Sequence, residues 1–369
     1  MIHLVMHRSH LIRLYPNEQQ KVMLAKTAGV ARYCYNWGLT RWQEMRKRGE
    51  FCSQYVISRM WTKEHPAWAS EVNKGSQTQA FLNLGVAFNK FFKKETKFPT
   101  FHKKGRKDSF YVCNDHAWFN GEKLLHLPKI GNVRLAEKLR YNGKILKYTV
   151  SRKADLWFVS VSVEVPNVVR TIDASTAIGV DVGSKNWAVT SNGDVLHRPR
   201  QLAKLEKRLK HLHRSVSRKR IGSKNRAKAQ NKANRMSLRI TNVKLDMVHK
   251  FTADITKNHS VVCCESLNCR KIAMNGNGKA VAMSMMGSII SQLKYKAAKC
   301  IAIDKFYPSS RTCSSCGHKR NDLTLNDRTY RCPSCGTVID RDLNAAINIR
   351  NEGMRIFTEG RSESACGGR

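Results

Sequence analysis

Four cysteines near the end of the chain have the spacing of a metal site. Cys313 and Cys316 form one C-x-x-C pair, and Cys332 and Cys335 form a second pair after fifteen intervening residues. Four thiolates at this spacing suit tetrahedral Zn²⁺, and a shell closed by four protein ligands leaves no position open for catalysis. We therefore predict one structural zinc ion here, and we expect the neighbouring His318 not to be a ligand.

Three acidic residues elsewhere in the chain could bind a second kind of metal ion. Asp181 and Glu265 each follow an apolar, strand-like run, and Asp342 lies where a helix is predicted to begin. Carboxylates that converge on one sheet edge repel each other unless cations neutralise them, and such a triad can hold two Mg²⁺ ions. We therefore predict a two-Mg²⁺ site for in-line phosphodiester hydrolysis, in which one ion activates water and the other stabilises the leaving 3′ oxygen. Asp340 is the competing third ligand.

The segments around these acids predict a mixed sheet. The run AIGVDVG is apolar up to Asp181 and turns at Gly183, and KNWAVTSNGDVLH then has the pattern of two strands joined at residues 192–194. A first strand that ends in Asp, followed by antiparallel strands, fits the start of a ribonuclease-H-like α/β fold. The short strand that ends in Glu265 and the helix that begins near Asp342 complete the predicted site.

The net charge indicates a polyanionic partner. The 369 residues include 67 Lys or Arg and 27 Asp or Glu, and the resulting formal charge of +40 would repel itself in a compact fold. An acidic membrane surface is the alternative, but no lipidation motif or amphipathic anchor supports it. The composition therefore favours nucleic acid as the partner.

Two segments concentrate this charge. Residues 202–250 have apolar residues at helical spacing on both sides of residues 221–223, which predicts a helical hairpin. Residues 201–250 hold sixteen Lys or Arg and two acidic residues, more than i,i+4 ion pairs can neutralise, so the hairpin should face a nucleic-acid backbone. A basic loop over residues 93–107 should also contact phosphates. The predicted contacts are Lys103, Lys104, Arg106 and Lys107 in the loop and Arg208, Arg214, Lys219 and Arg220 in the hairpin.

The first half of the chain predicts a β-rich domain with inserted helices. Residues 2–14 and 109–165 are β-prone, whereas residues 19 to 92 carry apolar side chains at helical intervals. The strands should form one antiparallel, barrel-like domain, and the helices should form a lobe inserted into it. Aromatic residues of this lobe are interspersed with cationic residues. The aromatic residues either form a core face or stack on bases, and both interpretations are possible.

The domain boundaries follow changes in these patterns, and the overall class is α+β multidomain. The β-barrel covers 1–16 and 94–165, the helical lobe 17–93, the α/β nuclease domain 176–305 and 338–355, the inserted zinc ribbon 306–337 and a flexible tail 356–369. The opening residues MIHLVMHRSH lack the long apolar run of a signal peptide. We therefore expect a cytoplasmic protein that associates with the nucleoid when it is bound to DNA.

Several motifs resemble, in chain order, those of the TnpB (OrfB) family of insertion-sequence proteins, which are related to type V CRISPR effectors: GVDVGSKNWAVT, CCESLN, SQLKYKAAKC, FYPSSRTCSSCG and YRCPSCGTVIDRDLNAAINI. The resemblance covers most of residues 176–350 and is looser in the N-terminal half. It implies an RNA-guided DNA endonuclease with a RuvC-type Mg²⁺ site at Asp181, Glu265 and Asp342 and zinc at the four cysteines. It also implies a guide RNA from the transposon end, which pairs with double-stranded target DNA beside a short transposon-adjacent motif.

The same resemblance assigns the N-terminal half. The barrel would be a wedge domain and the helical lobe a recognition domain, with Tyr35, Gln77 and Gln79 as candidates for reading the transposon-adjacent motif. We expect a monomer with its RNA.

Two other functions stay open. A nucleic-acid-binding regulator that does not cleave could use the same fold, although three mutually repelling carboxylates argue against it. A transposase that joins strands could use the same pair of ions.

Overall fold

The computed structural model describes residues 5–105, 107–167, 171–267, 285–324 and 327–360. The chain forms two units, Met1–Asn167 and Val168–Arg369. The boundary between them lies between residue 165, where the predicted barrel ends, and residue 176, where the predicted nuclease domain begins. No helix among the described residues is long and apolar enough to cross a membrane.

Seven antiparallel strands form the sheet of the first unit, in the order β2-β6-β7-β1-β5-β4-β3. Along β7, Trp157, Val159 and Val161 are buried, and the residues between them, Phe158 and Ser160, are partly exposed. This period of two places one face of the sheet on an apolar core. The strands are β1 (Val5–Tyr15), β2 (Ser109–Cys113), β3 (Trp118–Phe119), β4 (Leu124–Leu127), β5 (Gly131–Leu135), β6 (Lys144–Lys153) and β7 (Leu156–Pro166).

Three helices lie between β1 and β2 in the chain, where the sequence predicts a helical lobe. The longest, α1, begins at a capping box in which Asn17 and Gln20 exchange side-chain-to-backbone hydrogen bonds. Its Trp42 stacks on Phe88 of α3, with ring centroids 4.2 Å apart, inside an apolar core that the helices share. The helices are α1 (Glu18–Lys47), α2 (Gln54–Glu64) and α3 (Lys74–Phe92).

The sheet of the second unit brings two of the predicted metal ligands to one edge. Its five strands follow the order β10-β9-β8-β11-β12, with β8 parallel to β11 and antiparallel to β9. Val180 pairs with Cys264, so the next residues, Asp181 and Glu265, follow at the same level of neighbouring strands. Since parallel strands end at the same edge of a sheet, the two acids are neighbours. The strands are β8 (Ala177–Asp181), β9 (Asn186–Thr190), β10 (Val195–His197), β11 (Val261–Glu265) and β12 (Lys299–Ile303).

Two long helices, α4 (Arg200–Ser217) and α5 (Lys224–Asn258), match the predicted hairpin. Leu202 and Val216 of α4 are buried, whereas most of the cationic side chains between them are exposed. Ser223 caps α5 by accepting a hydrogen bond from the backbone N–H of Arg226.

The described part of the second unit contains two further α-helices, α6 (Met286–Lys296) and α7 (Arg341–Thr358). A short hairpin of β13 (Thr329–Arg331) and β14 (Val338–Asp340) precedes α7. The predicted tail needs a correction, because residues 356–358 belong to α7. The side chains of Ile356 and Phe357 pack against the apolar cluster around β11 and β12, and this packing holds residues 356–358 in the helix. Residues 361–369 lie outside the described residues.

Helix α7 packs on β8 with almost no space between the two backbones. A Cβ atom at Gly179 would lie 2.1 Å from the carbonyl oxygen of Ala346, closer than any real contact allows. Gly179 therefore allows α7 to lie against the strand that ends in Asp181.

We expect Gly179→Ala to lower the free energy of unfolding by at least about 2 kcal/mol, because the added methyl group must displace helix backbone. Gly29→Ala is the matched control, since Gly29 lies within α1 and its added Cβ would meet its nearest neighbour at 3.7 Å. Denaturant unfolding of the full chain measures both variants. Equal stability of the two would contradict the close packing of α7 on β8.

Candidate functional site

The third acid, Asp342, lies on the first turn of α7 and faces the carboxylates of Asp181 and Glu265 at the strand ends. Asp340 caps this helix, because its Oδ1 accepts hydrogen bonds from the backbone N–H groups of Asp342 at 2.9 Å and Leu343 at 3.0 Å. Asn186 of β9 donates from Nδ2 to Asp342 Oδ2 at 3.3 Å. Asp340 thus fixes the start of the helix, and Asp342 extends from the helix toward the sheet.

The three carboxylates act on each other electrostatically. Burial raises the pKa of Asp181 to about 8, and the negative charges of Glu265 and Asp342 contribute to this rise, while the Arg341 guanidinium opposes it. Burial also raises the pKa of Glu265. A carboxyl group that keeps its proton near neutral pH lacks a compensating cation. The site therefore fits a hard divalent cation bound through oxygen atoms.

The carboxylate oxygens are spread more widely than the ligands of one closed shell. Among the described residues, four cysteines form a group whose ligand atoms all lie within 4.8 Å of one another, and the three carboxylates form no such group. Two ions about 4 Å apart need ligands on both sides and therefore a wider set than one ion needs. The three carboxylates therefore do not close around a single ion as the four cysteines do.

The structure adds a residue that the sequence analysis did not identify. Ser309 Oγ donates a hydrogen bond to Glu265 Oε1 at 2.7 Å, and this bond opposes the effect of burial on the pKa of Glu265. Ser309 itself is 6% exposed. Ser309 lies six residues after the end of β12, and the sequence around it does not show which group its hydroxyl contacts, so only the tertiary structure could reveal this contact.

The four cysteine sulfurs form a cluster of tetrahedral size. Cys313 Sγ lies 3.7 Å from Cys335 Sγ, and Cys316 Sγ lies 3.5 Å from Cys332 Sγ. A tetrahedron with Zn–S bonds of about 2.3 Å has edges of about 3.8 Å, whereas the sulfurs of a disulfide are about 2.0 Å apart. Within the part of the chain that the structure describes, the cluster does not include His318. The geometry fits a zinc ion.

Each C-x-x-C pair lies in the same kind of backbone turn. Gly317 and Gly336 have φ values of 75° and 71°, a left-handed conformation that favours glycine. Their N–H groups donate to the carbonyl of the first cysteine of each pair at 2.9 and 3.1 Å. Hydrogen bonds from the side chain and the backbone of Thr337 lower the pKa of Cys335 to about 6. The thiolate that a metal requires is therefore favoured at this position.

Two of the predicted nucleic-acid contacts lie inside the first unit, which is a correction. Tyr35 is 7% exposed, and its ring stacks on His102 with centroids 3.8 Å apart. Gln77 is 5% exposed; its Oε1 accepts a hydrogen bond from Trp61 Nε1, and its Nε2 donates to the carbonyl of Ala69. Both residues lie on helix faces that pack into the lobe, so neither side chain is available to read a DNA motif.

The remaining predicted contacts stay predictions. Gln79 is half-buried and donates from Nε2 to Asn83 Oδ1 at 3.0 Å. Lys219 is half-buried, and Arg106 lies outside the described residues. The exposed ones are Lys103, Lys104, Lys107, Arg208, Arg214 and Arg220.

Three family models match parts of this chain. A model described as "Cas12f1-like, TNB domain" matches residues 287–349, which include the cysteine cluster and Asp342. The OrfB model described as "Probable transposase" matches residues 160–275, and an OrfB "Helix-turn-helix domain" model matches residues 6–50.

Curated relatives match almost the whole chain. A Streptomyces pristinaespiralis protein named "Putative RNA-guided DNA endonuclease" is 34% identical over 377 residues, covering 98% of this chain and 91% of that protein. InsQ of Escherichia coli K12, whose name includes the same words, is 27% identical over 380 residues, covering 96% of this chain and 92% of InsQ. The chain therefore belongs to the TnpB (OrfB) family of insertion-sequence proteins.

A solved structure supports the fold independently. The protein chain in the cryo-EM structure of a Cas12f1-sgRNA-target DNA complex matches with a TM-score of 0.56 at 13% identity, over 94% of this chain and 99% of that chain. The two proteins share a mixed α/β, multidomain fold.

The stability of the metal-free protein should depend on the protonation of Asp181. Its pKa of about 8 in the folded state exceeds the ordinary value of 3.8, so between these values the native state binds more protons than the unfolded state. Stability should therefore fall as pH rises through this window, and Asp181→Asn should remove most of the fall. Thermal melts of the zinc-loaded proteins in buffer without Mg²⁺ or chelator, from pH 5 to pH 8, compare Asp181→Asn with the wild type. An identical pH dependence of the two would contradict the raised pKa of Asp181.

The cysteine cluster should hold one zinc ion per chain. We expect Cys313→Ser to abolish zinc binding and to unfold the ribbon, because a structural zinc site supplies folding free energy. Cys52→Ser is the control, since Cys52 is a partly buried cysteine of the first unit. Elemental analysis of the purified proteins measures the zinc content, and an unchanged value in Cys313→Ser would exclude the assignment.

Proposed function

We propose that this protein is a transposon-encoded, RNA-guided DNA endonuclease that hydrolyses phosphodiester bonds with two Mg²⁺ ions at Asp181, Glu265 and Asp342. One observation carries the proposal. Two neighbouring parallel strands and a helix start direct three carboxylates at one sheet edge, where burial and mutual repulsion raise the pKa of Asp181 to about 8. Bound cations would neutralise the charges of these carboxylates, whereas carboxylates with a purely structural role would not be placed close enough to repel each other.

The chain's own residues orient the ligands. When bound, Mg²⁺ supplies activation of the attacking water and stabilisation of the leaving 3′ oxygen. The hydroxyl of Ser309 engages one oxygen of Glu265, and the amide of Asn186 engages one oxygen of Asp342. The Arg341 guanidinium, which donates to the carbonyl oxygen of Thr324 at 2.6 Å, adds a fixed positive charge beside Asp181. These contacts restrict the carboxylates to one arrangement before substrate binds.

The domain assignments are part of the proposal. The strand order of the second sheet, with Asp181 at the end of its first strand, supports a ribonuclease-H-like (RuvC-like) domain over 176–305 and 338–355. The paired cysteine turns support a zinc ribbon over 306–337. The antiparallel sheet of the first unit supports a wedge barrel over 1–16 and 94–165, with a recognition lobe over 17–93.

A guide RNA accounts for the charge. A net charge of +40 suits a long polyanion, and the exposed cations of α4 and its connection to α5 supply a dense basic surface. An RNA–DNA heteroduplex is held through its backbone, so base pairing and not the protein reads the target sequence. We propose that RNA from the transposon end binds a single protein chain and directs it to double-stranded DNA beside a transposon-adjacent motif.

Cleavage of a matched plasmid by the RNA-loaded protein in Mg²⁺ tests this function. We expect Asp181→Ala to lower the cleavage rate by at least about 100-fold, because loss of a direct ligand should cost more than loss of a residue that only supports one. Cutting without RNA, or undiminished cutting by Asp181→Ala, would overturn the proposal.

A pair of variants separates the two acids at the start of α7. Asp340→Asn should retain more activity than Asp342→Asn, since asparagine is as good a helix cap as aspartate but a poorer metal ligand. The reverse order would make Asp340 the ligand.

A further inference from the structure

One short segment connects the acidic site to the cysteine cluster. It covers residues 309–314 and begins with Ser309, whose hydroxyl donates to Glu265 Oε1 at 2.7 Å. Four residues later it contains Cys313, whose sulfur lies 3.7 Å from that of Cys335. Any change in the position of this segment therefore affects both sites.

Two asparagines of α7 hold the segment from inside the protein. Asn348 Nδ2 donates to the carbonyl oxygens of Ser309 at 2.8 Å and Thr312 at 2.6 Å. One helical turn earlier, Asn344 Nδ2 donates to the same Thr312 oxygen at 2.7 Å, and Asn344 Oδ1 accepts from the N–H of Ser314 at 2.9 Å. The segment is thus tied by side-chain amides to the helix that carries Asp342.

These amides cannot exchange their partners for water. Asn344 is fully buried, and Asn348 is 4% exposed. When a buried polar group loses its hydrogen-bond partner, the protein loses stability by the full desolvation penalty of that group. The hydrogen bonds of Asn344 and Asn348 should therefore form together or break together. The position of the Ser309 hydroxyl is therefore set by α7 at one end of the segment and by the cysteine cluster at the other.

We propose that Ser309 is a positioning residue that makes the acidic site depend on zinc. Zinc fixes Cys313, the two asparagines fix the backbone between Cys313 and Ser309, and the Ser309 hydroxyl holds Glu265 in one orientation. Loss of zinc should then weaken cation binding at the carboxylates even though no cysteine contacts them. The inference rests on the proposed function only for the identity of the acidic site as the Mg²⁺ site.

Mn²⁺ binding to the full chain, without RNA or DNA, tests this role apart from cleavage. Titration followed by electron paramagnetic resonance should show Ser309→Ala binding Mn²⁺ about 10- to 100-fold more weakly, the usual effect of losing a residue that orients a ligand. Ser309→Thr, which keeps the hydroxyl group, should recover part of the affinity. Ser310→Ala is the matched control, because Ser310 is adjacent and only half-buried. Ser309→Ala should keep one zinc per chain, and Mn²⁺ affinity equal to that of the control would overturn the role.

A double-mutant cycle tests the connection to zinc. We expect Cys313→Ser to weaken Mn²⁺ binding, and Ser309→Ala to add little in the Cys313→Ser background, because both variants break the same chain of contacts. Fully additive effects would overturn the connection. If Cys313→Ser does not fold, wild-type protein with and without reconstituted zinc replaces it in the cycle. A protein that follows these expectations and yet never cuts DNA would contradict the proposed function and support the role of Ser309.

Discussion

Repulsion among three acidic side chains at one sheet edge is the constraint on which the second unit depends. Asp181 and Glu265 end adjacent parallel strands, so the register of β8 and β11 forces the two carboxylates together. Asp342 approaches them from the first turn of α7. Without cations a proton on Asp181 relieves the repulsion, because burial, together with the charges of Glu265 and Asp342, raises the pKa of Asp181 to about 8. With cations, the same arrangement becomes a binding site.

Helix α7 serves both candidate metal sites. Its first turn supplies Asp342, its backbone lies against β8 at Gly179, and its asparagines hold the segment that carries Cys313. The same segment carries Ser309, whose carbonyl oxygen accepts a hydrogen bond from Asn348 of α7 and whose hydroxyl donates to Glu265.

Local patterns predicted much of the fold and the elements that carry the candidate site. Apolar runs ending in Asp181 and Glu265, helical periodicity in the hairpin and the paired cysteines all depend on neighbours in sequence, and the structure contains each of these elements. The direction in which a side chain points in the folded protein was harder to predict. Helical spacing alone did not reveal that Tyr35 and Gln77 point into the lobe, and a buried asparagine such as Asn344 has the same sequence pattern as a solvated one. The sequence likewise did not show that Asp340 caps α7 through its Oδ1.

Anomalous diffraction from crystals of the protein grown with Mn²⁺ tests most directly whether the three acids form one metal site. We expect two anomalous peaks at the edge of the second sheet, with Asp181, Glu265 and Asp342 as their ligands, and neither peak in crystals of Asp181→Asn. Peaks that place these carboxylates on separate ions at unconnected sites, or no peak at all at saturating Mn²⁺, would contradict a shared site.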